Sequence, residues 1–131
     1  MEREKLIEEM TKIVGKENVL CSETDLLLYG YDASLFRGKP DCIVLPGSTA
    51  EVSSIVKFAH EARVHVVGRG SGTNLSGGTI PTQGGIIIHF SRMNKLLEID
   101  IENQRAVVEP GIFTLSFKNQ LARYGFVYQP D

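Results

Sequence analysis

The sequence predicts an α/β (α+β) fold: a small parallel βαβ sheet flanked by helices and followed by a β-hairpin. Two short apolar runs, residues 42–45 and 65–67, enclose a segment with helical periodicity. A strand, a helix and a strand in such close succession form a βαβ unit, whose strands are parallel. Two alternating segments, residues 96–101 and 105–109, are separated by a short polar turn and predict an antiparallel hairpin.

The first helix is predicted over residues 3–14, because its apolar residues recur every three or four positions and share one face. These residues are Leu6, Ile7, Met10, Ile13 and Val14, and Gly15 follows as a C-terminal stop. A second, short helix is predicted around residues 25–29, starting at Ser22 or Thr24 and ending at Gly30. Residues 31–41 are polar, contain Gly38 and Pro40, and predict an irregular connection.

The helix of the βαβ unit is predicted to begin at Ser48, because Ser48 and Glu51 have the spacing of a capping box. Its apolar face would consist of Val52, Ile55, Val56 and Ala59. A third strand, rich in β-branched residues, is predicted over residues 85–90. A last helix over residues 114–124, ended by Gly125, precedes an extended segment at residues 126–128.

The composition is that of a globular protein, with 42% hydrophobic and 23% charged residues. Fourteen basic and 16 acidic residues give a net charge of −2, without the clustered basic excess that nucleic-acid binding requires. No apolar run approaches the roughly 18 residues that span a bilayer. Cys21 and Cys42 lie far apart without a CxxC or His motif, so we expect reduced thiols, no metal site and a cytoplasmic location.

The segment most indicative of function is glycine-rich: residues 68–78 contain five glycines. Glycine permits positive φ angles and close approach of the backbone to a ligand, and successive N–H groups can converge on an anion. Thr73, Asn74 and Ser76 add side-chain donors, and Arg69 adds positive charge. The loop therefore predicts a pyrophosphate site and contains no residue suited to acid–base chemistry.

Two common phosphate-binding motifs do not fit this loop. A Rossmann G-x-G-x-x-G motif starting at Gly70 requires glycine at position 75, where Leu75 stands. A P-loop requires Gly-Lys-Ser or Gly-Lys-Thr, and neither triplet follows these glycines. A glycine-rich turn without a ligand remains an alternative. His60, His65 and His89 are predicted to be solvated or structural residues.

The sequence resembles one family of flavoproteins along its whole length. Residues 66–78 resemble the pyrophosphate-binding loop of FAD-linked oxidases with a PCMH-type (vanillyl-alcohol oxidase-like) FAD-binding domain. Residues 39–52, 91–100 and 108–111 are similar to the neighbouring segments of that domain, in the same order. The resemblance, within the glycolate oxidase D-subunit and D-lactate dehydrogenase branch, implies a helical lead-in over residues 1–38. Residues 39–131 would be the first part of the FAD domain, truncated at its C-terminal end.

The resemblance also implies which residues contact FAD. In the loop these are Arg69, Gly70, Ser71, Gly72, Thr73, Asn74, Ser76, Gly77 and Gly78, which act mostly through backbone N–H groups. Glu109, Pro110 and Gly111 match a turn that lies against the cofactor, and Pro130 and Asp131 match the start of a further contacting segment. No catalytic residue and no covalent flavin attachment are assigned within the chain.

The implied function is the FAD-binding portion of a flavin-dependent 2-hydroxy-acid dehydrogenase or oxidase of the glycolate or D-lactate type. In the intact enzyme, hydride would pass from the substrate to flavin N5. The family's substrate pocket and catalytic residues would follow Asp131, so we expect the chain to be inactive alone. The alternative is a non-catalytic nucleotide-binding or assembly domain, in which uncovered apolar surface is buried by homodimerisation.

Overall fold

The computed structural model describes residues 2–130. Its helices and strands, in chain order, are α1 (Arg3–Val14), β1 (Val19–Leu20), α2 (Glu23–Leu28), β2 (Cys42–Val44), α3 (Thr49–Ala62), β3 (Val66–Arg69), β4 (Ile86–His89), β5 (Leu96–Asp100), β6 (Arg105–Val108) and α4 (Thr114–Ala122). Short 3₁₀ turns occupy Lys16–Asn18 and Phe90–Arg92. The predicted mixture of helices, a parallel sheet and a hairpin is confirmed.

The main sheet has the strand order β1-β2-β4-β3. Strand β4 pairs in parallel with β2 on one side and with β3 on the other. The two strands of the βαβ unit are therefore parallel but not adjacent, because β4 lies between them. Strand β1, which the sequence analysis missed, pairs antiparallel with β2 through only two residues. So short a segment has no periodicity of its own, and its strand geometry comes from pairing with β2.

The sheet is buried on both faces because helices cover each side. On one face, Leu6, Met10 and Val14 of α1 and Ile55 and Ala59 of α3 pack against Cys42, Val44, Ile86 and Ile88. On the other face, Leu26 of α2 packs against Ile43 and Ile87. Alternate residues of β2 and β4 thus enter opposite layers, which explains why both strands are continuous apolar runs. Burying each isoleucine contributes about 1.5–3 kcal/mol.

The cap of α3 differs in detail from the predicted capping box. The Ser48 hydroxyl accepts from the Glu51 amide at 3.2 Å, as expected. The Glu51 carboxylate, however, accepts from the amide of Gly47 at 2.7 Å, one residue earlier than a capping box requires. Val56, predicted on the apolar face, is exposed, because the buried stripe runs through Ile55 and Ala59.

Strands β5 and β6 form the predicted antiparallel hairpin, with an irregularity between Leu96 and Glu98. Helix α4 begins at Thr114 as predicted but ends at Ala122, and Gly125 follows with a positive φ of 77°. Residues 126–128 lie beside α4, where Tyr128 makes an edge contact with Phe117 at a centroid distance of 5.1 Å. They form no strand within the described part of the chain.

Within residues 2–130, no helix is long and apolar enough to cross a membrane, and no group of three or more His, Cys, Asp or Glu side chains is placed to hold a metal ion. Cys21 and Cys42 are both free thiols. Cys42 is fully buried in the sheet, and desolvation raises its pKa to about 12. It therefore serves as a small core residue rather than as a nucleophile.

Candidate FAD site

The glycine-rich loop begins at the carboxyl end of β3, which is where ligands bind in parallel sheets. A cleft of about 400 Å³ opens there. It is lined by Gly70, Ser71, His89, Ser91, Pro110, Gly111, Ile112 and Phe113. The fold thus brings the start of the loop next to two residues of the 109–111 turn, although some 40 residues separate them in sequence.

The backbone of the loop offers unpaired donors. No amide N–H from Ser71 to Thr79 donates a hydrogen bond to another group within residues 2–130. Gly72 and Gly77 have positive φ angles of 69° and 71°, a backbone conformation that glycine adopts readily and that occurs in anion-binding nests. A side chain at Gly70 or Gly78 would meet no atom within 4 Å, so open space adjoins both positions. These features fit a pyrophosphate group.

The predicted side-chain donors are divided between the two sides of the loop. The hydroxyl groups of Thr73 and Ser76 are exposed and make no hydrogen bond within residues 2–130. Arg69 instead is 7% exposed, and its guanidinium donates to the carbonyl oxygen of Tyr31 at 2.8 Å. The same group lies 5.5 Å from the centre of the Tyr29 ring. The positive charge of Arg69 therefore lies beneath the loop, against residues 29–31.

Gly72 packs directly over that guanidinium. A Cβ atom at position 72 would overlap the nitrogen atoms of Arg69, and the positive φ adds strain for any L side chain. A substitution of Gly72 would therefore disturb the loop itself. Gly70 and Gly78 are better positions at which to test ligand binding.

Asn74, another predicted donor, is also turned inward. Its Nδ2 donates to Oδ2 of Asp32 at 2.6 Å, and the Thr79 hydroxyl lies 3.2 Å from the same oxygen. Asp32 is 6% exposed, and hydrogen bonds from Ser34, Asn74 and Thr79 hold the pKa of its carboxyl below the usual value. Asp32 is therefore ionised near neutral pH. The sequence analysis missed this residue, and its only local signal is an Asx turn in which Asp32 accepts from the Ser34 amide.

Of the second predicted segment, residues 109–111, only two residues face the cleft. Pro110 and Gly111 line the cleft. Glu109 does not: its carboxylate accepts from the Lys95 amide at 2.8 Å and its own amide donates to the Lys95 carbonyl at 2.8 Å, which closes the base of the hairpin. Pro130 is exposed at the end of the described residues, and Asp131 lies outside them.

His89 lies in the cleft wall at the carboxyl end of β4. Its Nδ1 is 3.0 Å from the Ser91 hydroxyl, and its ring meets the Tyr29 ring edge-on at a centroid distance of 5.1 Å. Desolvation, together with the positive charge of Arg69, lowers the pKa of His89 below its usual value of 6.5. The neutral imidazole is thus the form that the folded protein favours.

A pH dependence of stability follows from this environment. The unfolded chain binds the His89 proton more tightly than the folded chain does. We therefore expect the free energy of unfolding to have its full value above pH 6.5 and to decrease as the pH falls below 6.5. Urea titrations at pH 7.5, 6.5 and 5.5 measure this decrease. His89→Phe should flatten it, whereas His60→Phe, at an exposed position of α3, should not. An unchanged slope in His89→Phe would contradict this assignment.

A second cleft, of about 360 Å³, lies between the hairpin and α4. Its wall includes Ile99, Val108, Phe117, Leu121, Phe126 and Tyr128, and it contains none of the predicted FAD contacts. It is a groove between the hairpin, α4 and the segment after α4, and its walls are both apolar and polar. The loop amides and the cleft at the carboxyl ends of β3 and β4 are therefore the stronger candidate site.

Comparison with known proteins identifies the family of the chain. The family described as "FAD binding domain" matches residues 40–131. The chain is 43% identical over 125 residues to glycolate oxidase subunit GlcD of Bacillus subtilis, covering 95% of this chain and 27% of that protein. It is 34% identical over 134 residues to the mitochondrial D-lactate dehydrogenase [cytochrome] of Arabidopsis thaliana, covering 92% of this chain and 24% of the other.

The fold is also similar to that of solved structures. The 4-ethylphenol oxidase of Gulosibacter chungangensis superimposes with a TM-score of 0.82 and 30% identity, covering 93% of this chain and 24% of that one. The chain thus spans about a quarter of the length of the proteins it matches. Since the family match covers most of the chain, this protein belongs to the FAD binding domain family, and its cofactor is FAD.

Proposed function

We propose that the chain supplies the pyrophosphate-binding part of the FAD site in a flavin-dependent dehydrogenase or oxidase of 2-hydroxy acids. The observation that carries the proposal is the row of unpaired amides from Ser71 to Thr79 beside the cleft. Glycolate and D-lactate, named in two relatives, are both 2-hydroxy acids. Bound FAD would accept the hydride that leaves the substrate carbon.

In this proposal the chain's own residues bind and orient the cofactor and perform no proton transfer. The contacts are those predicted from the sequence, made mainly by the amides of residues 70–78 and by Pro110 and Gly111, with Glu109, Pro130 and Asp131 as further members. Arg69 and Asn74 would act from beneath the loop, since their side chains bond to residues 29–32.

We further propose that residues 1–38 are the lead-in to an FAD-binding portion over residues 39–131. The free thiols favour a cytoplasmic location.

A titration of the purified chain with FAD tests the proposal. We expect saturable quenching of flavin fluorescence, and we expect riboflavin, which lacks the pyrophosphate, to bind at least tenfold more weakly. The tenfold ratio corresponds to about 1.4 kcal/mol, a modest value for several amide–phosphate hydrogen bonds. Absence of FAD binding, or equal binding of both flavins, would contradict the assignment of the loop.

A second candidate, an assembly role, is favoured by the exposed apolar side chains on the hairpin, on α4 and after it. Among them, Leu115 is 70% exposed and Val127 is 79% exposed. Surfaces of this kind are commonly covered by association, and a homodimer would cover them here. Sedimentation of the FAD-free chain distinguishes the candidates: a dimer without FAD binding favours assembly, and a monomer that binds FAD favours the cofactor role.

A further inference from the structure

Asp32 is a buried carboxylate that the proposed contacts to FAD do not use. It is 6% exposed and belongs to the irregular segment between α2 and β2. Burying an ionised carboxylate is unfavourable unless several donors compensate it. Two of the donors that do so here come from the glycine-rich loop and its end, more than 40 residues away in sequence.

The carboxylate joins Asn74 in that loop and Thr79 at its end to the Asx turn at residues 32–34. Oδ2 accepts from Nδ2 of Asn74 at 2.6 Å and from the Thr79 hydroxyl at 3.2 Å. Oδ1 accepts from the Ser34 amide at 2.8 Å. The Thr79 hydroxyl also lies 3.1 Å from Oδ1 of Asn74, so the three side chains form a triangle in which the single hydroxyl proton is donated to one of the two oxygens at a time.

The loop has few other constraints. Its amides from Ser71 to Thr79 have no partner within residues 2–130, and the backbone bond from Ile80 to Gly77 is local. A glycine-rich segment with few hydrogen bonds can sample many conformations, of which few present their amides together. The affinity for a ligand then falls in proportion to the fraction of molecules in the competent conformation.

We propose that Asp32 is a positioning residue, which holds the glycine-rich loop in the conformation that binds the FAD pyrophosphate. The proposal rests on the proposed function of the loop. Asp32 acts through Asn74 and Thr79 and does not touch the cofactor. This assigns to residues 31–34, outside the part that the family match covers, a role in cofactor affinity.

Exchanging the donor and acceptor groups of Asp32 and Asn74 tests the role of this triangle. In Asp32→Asn, the negative charge is removed and the new amide nitrogen faces either the Ser34 amide or Nδ2 of Asn74, so the charge-assisted hydrogen bonds of the carboxylate are lost. In the double variant Asp32→Asn/Asn74→Asp, the new amide nitrogen at position 32 donates to the new carboxylate at position 74. The Thr79 hydroxyl then accepts from that amide and donates to that carboxylate, so every group has a partner again.

We expect Asp32→Asn to weaken FAD binding at least tenfold in the full 131-residue chain, and the double variant to recover to within about threefold of the original affinity. Asp100→Asn is the matched control, because Asp100 also accepts from a backbone amide and an asparagine amide, both of Asn103, but at the hairpin turn. Its FAD affinity should not change. Circular dichroism checks that each variant is folded.

The outcomes separate the two proposals. If the original chain binds FAD and folded Asp32→Asn binds it equally well, the positioning role is overturned while the proposed function stands. If the double variant folds but does not recover, the positioning role is also overturned. A chain that does not bind FAD overturns both proposals. If Asp32→Asn does not fold, Thr79→Val replaces it, and an unchanged affinity in that isosteric variant overturns the role.

Discussion

Replacing Gly70 with aspartate is expected to lower the affinity for FAD at least tenfold without unfolding the protein. A side chain at position 70 meets no atom within 4 Å and projects beside the cleft. Two like charges about 4 Å apart repel by about 1 kcal/mol in water and by about 4 kcal/mol near a protein surface. The added carboxylate would oppose the pyrophosphate, while the free energy of unfolding should change by no more than about 0.5 kcal/mol.

Two companion variants locate this effect. Gly70→Ala adds a methyl group without charge and should weaken FAD binding less than Gly70→Asp does. Thr82→Asp adds the same charge at an exposed position after the loop and should leave the affinity within about twofold, since exposed charges are screened over about 8–10 Å. Fluorescence titration measures all three variants. Equal losses in Gly70→Asp and Thr82→Asp would indicate a general charge effect and not a site at the loop.

Gly85→Ala is expected to cause the largest loss of stability, roughly 2–5 kcal/mol. Gly85 immediately precedes β4 and has a φ of 85°. A Cβ atom there would overlap the carbonyl oxygen of His65, which accepts from the Ile86 amide at the start of the β3–β4 pairing. The substitution therefore combines backbone strain with a steric clash at the central strand.

Two other glycines separate these two causes. Gly125 has a φ of 77° but no neighbour within 4 Å, so Gly125→Ala should cost only the strain, about 1–2 kcal/mol. Gly78 has neither feature, and Gly78→Ala should change stability by less than about 0.5 kcal/mol. Urea unfolding followed by circular dichroism ranks the three. If Gly85→Ala destabilises no more than Gly125→Ala does, the clash with His65 is not significant.

The local elements of the fold could be predicted because each depends on neighbouring residues. The spacing of Leu6, Met10 and Val14 predicts helix α1 with its observed bounds, and the Ser48 cap predicts the start of α3. What the sequence analysis missed depends on pairing across the chain. No local pattern indicates that β4 lies between β2 and β3, or that two residues of β1 pair with β2.

In the candidate site, too, local features could be predicted and features that depend on distant residues could not. The glycine loop is recognisable because its composition and spacing are local properties. The direction of each side chain is not, since Arg69 and Asn74 have partners about 40 residues away, in a segment predicted only as an irregular connection. The family resemblance named these residues as contacts of FAD. The structure adds that their side chains face Tyr31 and Asp32.

The parallel pairing of β3 with β4 has a consequence for the rate of folding. Residues 70–85, which include the glycine-rich loop, are the whole connection between these two strands and contain no helix or strand. Since β4 pairs with both β2 and β3, the sheet cannot assemble until this flexible connection closes, and its glycines lose more conformational entropy than other residues do. Pairing of this non-local kind slows folding. We therefore expect closure of the segment proposed to bind the cofactor to be one of the slower steps in forming the native sheet.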